Sequence, residues 1–147
     1  MTRRRLEACV VLMGLALLGC HAEEPARADA PELDLNEPFT LAGGQEGLIA
    51  SEDLRLRFAE VLEDSRCPTQ VECFWTGQAR IAVTVTTPGA PATNLTFNTN
   101  PAPGQTVKVG TAGPYRVELR SLDPYPETPD DPIPFEDYRA TLLVRNR

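Results

Sequence analysis

Histidine, the side chain most often used for general acid–base catalysis, is almost absent from this sequence. The single histidine, His21, lies near the N-terminus, and the chain has only two methionines, Met1 and Met13. Ser-His-Asp and Cys-His mechanisms and histidine metal sites therefore lack their central residue in the rest of the chain. No glycine-rich phosphate loop of the Walker type is present. The sequence predicts a protein that is not an enzyme and that uses no cofactor and no metal ion.

Basic side chains are also scarce, and they form no cluster after the first few residues. The chain carries 14 basic and 21 acidic side chains, which gives a net charge of −7. An acidic surface repels the phosphates of nucleic acid and of anionic lipids. We therefore expect no nucleic-acid partner, and any attachment to a membrane must come from something other than charge.

No apolar run is long enough to span a bilayer. The longest, residues 8–18, follows three arginines at residues 3–5. A transmembrane helix takes about 20 apolar residues, whereas a shorter run after a basic segment is typical of an export signal. The run ends in Leu17-Leu18-Gly19-Cys20, which resembles the lipobox of bacterial lipoproteins. The alternative is an ordinary secretory signal in which Cys20 is incidental.

The lipobox resemblance implies that residues 1–19 are a signal peptide, that cleavage precedes Cys20, and that Cys20 is lipidated. Two or more acyl chains hold a protein stably on a membrane. His21, and not aspartate, follows the cysteine, which by resemblance to Gram-negative sorting favours the outer membrane. The predicted location is the cell envelope, with the protein anchored by its lipid and facing the periplasm.

Residues 20–38 are predicted to be the lipidated cysteine and a flexible tether. Proline, alanine and acidic residues dominate this segment, and no apolar period is visible in it. The alternative is that Leu33 and Leu35 form a first edge strand. Residues 39–147 then form a single domain with one core.

Apolar residues recur with a period of two through most of this domain. Such alternation is typical of half-buried strands in antiparallel sheets, and 14 prolines leave little room for long helices. The fold class is therefore all-β, a small antiparallel β-sandwich or barrel-like domain of about six to eight short strands. The apolar sets that predict the strands are Leu54-Leu56-Phe58, Ala79-Ile81-Val83-Val85, Leu95-Phe97, Val107-Val109, Tyr115-Val117-Leu119 and Tyr138-Ala140-Leu142-Val144.

One segment, residues 51–64, fits two patterns. Leu54, Phe58, Val61 and Leu62 also match a helical period. Leu56 lies between two arginines, which favours a strand, and a bulge near residues 59–60 then explains the change of parity. Glycine- and proline-rich stretches at residues 42–44, 87–89, 100–104 and 110–114 are predicted turns.

Cys67 and Cys73 are the two cysteines of the mature domain. In an oxidising compartment a disulfide is the first expectation, and it would brace a short loop. A redox pair normally has the spacing C-x-x-C, and a zinc site needs further ligands that the sequence lacks. If the strand that begins at Ala79 continues back unbroken, Trp75 points inward against the disulfide and Phe74 points outward. A bulge at Gly77 would reverse this and make Trp75 an exposed binding residue.

Two segments resemble a signature of uncharacterised bacterial lipoproteins. The first contains Ser65-Arg66-Cys67-Pro68 and then Cys73-Phe74-Trp75, and the second contains Leu122-Asp123-Pro124-Tyr125-Pro126 and then residues 137–142. The resemblance covers about half of the domain. It implies a shared fold, but it carries over no catalytic residue.

Residues 123–137, the acidic crossover, combine carboxylates with prolines. Paired acids could hydrolyse glycosides and a cluster could bind calcium. The spacing matches no calcium loop of the form D-x-D-x-D-G, and a solvated polyproline-like connection explains the composition. The carboxylates are those of Asp123, Glu127, Asp130, Asp131, Glu136 and Asp137.

These observations favour a membrane-anchored envelope lipoprotein whose β-domain binds another envelope component, with an envelope protein as the expected partner. The predicted binding surface is the loop of residues 68–77, helped by the acidic crossover. Its candidate residues are Pro68, Phe74 and Trp75 in the loop and Gln78 directly after it. The alternative is a protease inhibitor that presents the disulfide-braced loop as a rigid segment.

Overall fold

The alternating pattern corresponds to eight antiparallel strands in two sheets. The computed structural model of the chain describes residues 30–100 and 108–147. Two single-turn 3-10 helices, Ala50–Glu52 and Phe135–Asp137, join strands. The strands are β1 Pro38–Ala42, β2 Glu46–Ile49, β3 Leu54–Asp64, β4 Ala79–Thr86, β5 Thr93–Asn98, β6 Val109–Ala112, β7 Tyr115–Asp123 and β8 Arg139–Asn146.

Each sheet contains four strands. One sheet has the order β1-β8-β7-β6 and the other has the order β2-β3-β4-β5, and every pairing is antiparallel. Buried side chains from both sheets form one hydrophobic core, with the arrangement of a β-sandwich. The prediction of an all-β fold with about six to eight short strands is confirmed.

Burial follows the predicted alternation closely. In β4 the side chains of Ala79, Ile81 and Val83 are buried, while the residues between them are partly or fully exposed. The strand interpretation of residues 51–64 is confirmed from Leu54 to Asp64, whereas Ser51 and Glu52 belong to the preceding 3-10 helix. The pairing of β3 with β4 shifts register between Phe58 and Glu60, where the sequence predicted a bulge. The side chains with no exposed surface include those of Leu41, Ile49, Leu54, Leu56, Phe58, Ile81, Phe97, Val117 and Leu142.

Residues 30–37 belong to the domain, although the sequence interpretation assigned them to the tether. The Leu33 amide donates to the Leu48 carbonyl at 2.8 Å, and the Leu48 amide donates to the Pro31 carbonyl at 3.0 Å. The Leu33 side chain is buried in the core, and Leu35 packs against it. Gly47 provides the space, because a Cβ there would lie 2.4 Å from Leu33 Cδ1. The domain therefore begins no later than residue 30, and the rest of the predicted tether lies outside the described residues.

The hairpin formed by β6 and β7 differs from its prediction. β6 runs through Ala112, into residues that the sequence predicted as a turn, and Val107 lies outside the described residues. The reversal is confined to Gly113 and Pro114, since Gly113 has a φ of +56° and Ala112 already pairs with Tyr115. Within residues 30–100 and 108–147, no helix is long and apolar enough to cross a membrane. Cys20 and the predicted signal peptide lie outside these residues.

Candidate functional site

The β3–β4 hairpin continues beyond its two strands into the loop that carries the cysteines. The Ser65 amide donates to the Gln78 carbonyl at 2.7 Å, and the Cys67 amide donates to the Thr76 carbonyl at 3.0 Å. Beyond this pair, Cys67 and Cys73 form the predicted disulfide, with their Cα atoms 5.9 Å apart. Residues 68–77, called the disulfide loop below, are therefore attached to a paired and covalently closed base.

Trp75 is exposed, so the prediction that it packs inward against the disulfide is wrong. Phe74 is 98% exposed and Trp75 is 76% exposed. The alternation does not continue back from β4, because the strand begins at Ala79 and Gly77 has a φ of +65°. Phe74 points outward, as the sequence predicted. The two rings meet edge to face, with centroids 5.9 Å apart.

Gly77 is required for this change of direction. A Cβ at that position would lie 1.8 Å from the Ser65 carbonyl oxygen. Only glycine combines a positive φ with so close an approach of the two backbones. The glycine that the sequence analysis considered as a bulge is thus the residue that exposes Trp75.

Hydrogen bonds fix the disulfide loop on both sides. On one side the amides of Thr69 and Gln70 donate to the carbonyls of Pro126 and Glu127, at 2.9 and 3.1 Å. On the other side Asn100 Nδ2 donates to Thr76 Oγ1 at 2.9 Å and to the Gly77 carbonyl at 3.0 Å. The loop therefore presents Phe74 and Trp75 from a supported backbone.

The other two predicted surface residues have different surroundings. Gln78 is half-buried at the base of the loop, where its Oε1 accepts from Asn98 Nδ2 at 2.7 Å. Pro68 is also half-buried, and it lines a groove of about 720 Å³ between β3 and the acidic crossover. Of the four predicted surface residues, only Phe74 and Trp75 therefore lie at the exposed tip.

Arg66 is the centre of a buried polar cluster beneath the loop. Its side chain binds Asp64 through two nitrogens, with Nε–Oδ1 at 2.8 Å and Nη2–Oδ2 at 2.6 Å. It also donates to the carbonyls of Leu122 and Pro124, at 2.6 and 2.8 Å. The guanidinium lies 4.4 Å from the centre of the Tyr125 ring. This cluster joins the base of the disulfide loop to the start of the acidic crossover.

Tyr138 completes the cluster by donating to Asp64 Oδ2 at 2.9 Å. Burial opposes ionisation of Asp64, but the hydrogen bonds from Arg66 and Tyr138 outweigh it and hold the Asp64 pKa below its ordinary value. Burial and the bond to Asp64 raise the pKa of Tyr138 to about 12. Each polar group of the cluster is hydrogen-bonded to another group of the protein. The cluster therefore has the properties of a structural element.

The sequence analysis did not identify the role of Arg66. Its partners Leu122 and Pro124 contribute main-chain carbonyls, which no side-chain pattern reveals. The only signal was the lipoprotein resemblance, since Arg66 and Tyr125 belong to its two separate segments and meet in this cluster.

The carboxylates of the acidic crossover are all exposed. Within the described part of the chain, no three histidine, cysteine, aspartate or glutamate side chains are grouped so that they could hold a metal ion. The calcium alternative therefore gains no geometric support from the described residues of the crossover, and the exposure of its carboxylates agrees with a solvated connection.

Comparisons with protein-family models, with curated proteins and with solved structures found no match to this chain. The resemblance to uncharacterised lipoproteins therefore stays a prediction.

Proposed function

We propose that this protein is a non-catalytic lipoprotein of the bacterial envelope that binds another envelope component through the tip of its disulfide loop. The observation that carries the proposal is the exposure of Phe74 and Trp75 side by side. Exposed apolar residues are common singly, but two large adjacent aromatic rings lose hydrophobic stabilisation that burial would provide. Tryptophan is also among the residues that contribute most to binding interfaces.

The rigidity of the loop supports the same proposal. The disulfide, the bonds to Pro126 and Glu127, and the bonds from Asn100 hold its backbone before any partner arrives. A pre-ordered loop loses less conformational entropy when it binds. Such support would be unnecessary for a surface loop that contacts only water.

The ionisable groups support binding rather than catalysis. Among the described residues, the groups with shifted pKa values are Asp64, Arg66, Tyr115 and Tyr138. Asp64, Arg66 and Tyr138 bind one another, and Tyr115 donates to Glu52 at 2.7 Å. None of them is poised beside an unoccupied partner, as a general acid or base would be.

The loop geometry favours this function over protease inhibition. An inhibitory segment must lie extended in a protease cleft, but the Val71 amide bonds the Pro68 carbonyl at 3.1 Å and closes a turn. The amides of Thr69 and Gln70 are already bonded to the acidic crossover. The bridged residues therefore have few backbone groups to offer to a protease.

The lipid anchor at Cys20 and the outer-membrane location are part of the proposal. They rest on the lipobox and on His21 at the position after the cysteine. With the anchor and the remaining tether, the domain would search for its partner within a shell close to the membrane.

Photo-crosslinking in cells tests the proposal. A photoreactive amino acid replaces Phe74 or Trp75 in the lipidated protein, and Arg116, which is exposed on β7, provides the matched control position. We expect one dominant adduct from the loop positions and none from position 116. Absence of adducts from a folded, anchored protein would contradict the proposal.

A further inference from the structure

We infer that the ligand of the disulfide loop contains a neutral sugar ring that stacks on Trp75. The inference rests on the proposed function, because it names the chemical class of ligand for the same loop. Trp75 forms one wall of an open depression of about 380 Å³. Its other walls are Ser65, Thr76, Gly77, Gln78 and Asn100.

The lining of this depression has no charged side chain, although charged residues make up 24% of the chain. It consists of one aromatic ring, two hydroxyls, two carboxamides and backbone. Hydroxyl and carboxamide groups can both donate and accept hydrogen bonds. The lining therefore suits a ligand that is polar and uncharged, and whose own groups also donate and accept.

Two of the polar groups keep bonding capacity for a ligand. Asn100 uses its Nδ2 to bond Thr76 and Gly77, while its Oδ1 accepts no bond from the described residues. Thr76 Oγ1 accepts from Asn100, which leaves its hydrogen available for donation. The same bonds fix the directions of both groups, so a ligand would not have to order them.

The aromatic wall selects among neutral polar ligands. The face of an indole ring is electron-rich and attracts weakly positive C–H groups. A pyranose ring has a face of C–H groups that can stack on the indole, and its hydroxyls project from the ring edge toward neighbouring polar groups. Phe74 is perpendicular to Trp75 and is not part of the lining, so the stacking platform is one ring wide. A single sugar residue matches this width.

Trp75 is the only tryptophan of the chain, so its fluorescence reports on this site alone. The experiment uses the full lipidated protein in a detergent without a sugar head group. The probes are neutral oligosaccharides of glucose, galactose, mannose and N-acetylglucosamine. We expect at least one series to shift the emission in a saturable way, with calorimetry giving the same binding constant.

Variants separate the sugar site from the rest of the domain surface. Thr76→Val keeps the side-chain shape and removes the hydroxyl, and we expect affinity to fall about fivefold, the loss expected for one neutral hydrogen bond. Trp75→Ala, followed by calorimetry, should weaken binding at least about tenfold. Arg116→Ala, at an exposed position of β7 outside this lining, is the matched control, and it should bind the sugar with unchanged affinity.

Failure of this inference is distinguishable from failure of the proposed function. If no neutral oligosaccharide changes the emission while photo-crosslinking still captures a protein at positions 74 and 75, the sugar inference is overturned and the binding function stands. A sugar response that Thr76→Val leaves intact and Arg116→Ala abolishes would also overturn it. If neither a sugar response nor an adduct is found, both proposals fail.

Discussion

Arg66 and Trp75 both lie on the extension of the β3–β4 hairpin. Arg66 is buried and Trp75 is exposed, which is the reverse of what is usual for these two residue types. Arginine is rarely buried and is here 3% exposed, whereas tryptophan is usually largely buried and is here 76% exposed. The burial of Arg66 is explained within the molecule, because Asp64 and two carbonyls satisfy its guanidinium. The exposure of Trp75 has no such internal explanation. The surroundings of Arg66 account for its burial, so its role is structural, whereas nothing in the described structure accounts for the exposure of Trp75, and this contrast is what the proposed binding function would explain.

The Arg66 cluster and the disulfide loop are also connected by hydrogen bonds. Arg66 donates to the carbonyls of Leu122 and Pro124, and so attaches the base of the disulfide loop to the end of β7, where the acidic crossover starts. The crossover in turn bonds the loop at Thr69 and Gln70. The buried cluster therefore supports the frame from which the exposed aromatic pair is presented.

The largest expected effect comes from breaking the buried cluster. Arg66→Met removes the cation and leaves the largely buried Asp64 carboxylate with only the Tyr138 hydroxyl and the main-chain amide of residue 66 as donors. Loss of one partner of a buried ion pair costs about 3–5 kcal/mol of unfolding free energy. Urea denaturation measures the change. Arg120→Met is the matched control, because Arg120 binds Glu118 at 2.8 Å on the surface, where the loss should stay below about 1 kcal/mol. Equal losses in the two variants would show that the cluster is no more structural than a surface pair.

Removal of the disulfide tests the link between the two regions. The double variant Cys67→Ser/Cys73→Ser should lose about 2 kcal/mol, since the bridge closes only a short loop. The Arg66 cluster lies before the bridge and should keep its contacts. Thermal unfolding measures the loss, and the wild-type protein under reducing conditions should reach the same melting temperature. An unchanged melting temperature would contradict the role of the bridge in the folded loop.

The contribution of the Arg66 cluster to stability should be lost both at acidic pH and at alkaline pH. The pKa of Asp64 is lowered by folding, so its contribution is present above its ordinary value of 3.8 and is lost as the pH falls through the lower folded value. The pKa of Tyr138 is raised from 10.0 to about 12, so its contribution is present below pH 10.0 and is lost between pH 10.0 and about 12.

Tyr138→Phe isolates the alkaline limb. The variant should be less stable than the wild type at pH 8, where the bond to Asp64 is intact, and the difference should shrink between pH 10.0 and about 12. Urea denaturation at each pH measures it. Tyr115 also has a raised pKa, because it donates to Glu52. Both the wild type and the variant contain Tyr115, so its contribution cancels in the difference between their unfolding free energies. A difference independent of pH would contradict the assignment to Tyr138.

The sequence predicted the features that depend on local periodicity. The strands around Phe58 and Ile81, the bulge after Phe58 and the disulfide all follow from alternation, parity and compartment. It failed where one distant contact decides the outcome. Leu33 lies in a segment with the composition of a tether, and it is buried because Gly47 leaves room for its side chain.

Within the candidate site, too, local sequence patterns predict some features and not others. The loop and its aromatic residues could be named from the sequence, but the direction of Trp75 could not. Parity predicts direction only while the strand continues, and the positive φ of Gly77 separates Trp75 from β4. The partners of Arg66 and the position of Asn100 beside the loop depend on tertiary packing, which local patterns do not encode.

The smallest effect on stability is expected at the loop tip. Substitutions there also test most directly the contrast between the structural role of Arg66 and the exposure of Trp75. Phe74→Ala and Trp75→Ala remove side chains that contact mainly solvent and each other, so the unfolding free energy should change by no more than about 0.5 kcal/mol. Phe97→Ala is the contrast, because it empties a fully buried position and should cost about 3–5 kcal/mol. Urea denaturation gives all three values. A large loss at position 74 or 75 would mean that the aromatic pair stabilises the fold after all, and the reason for assigning it to a partner would disappear.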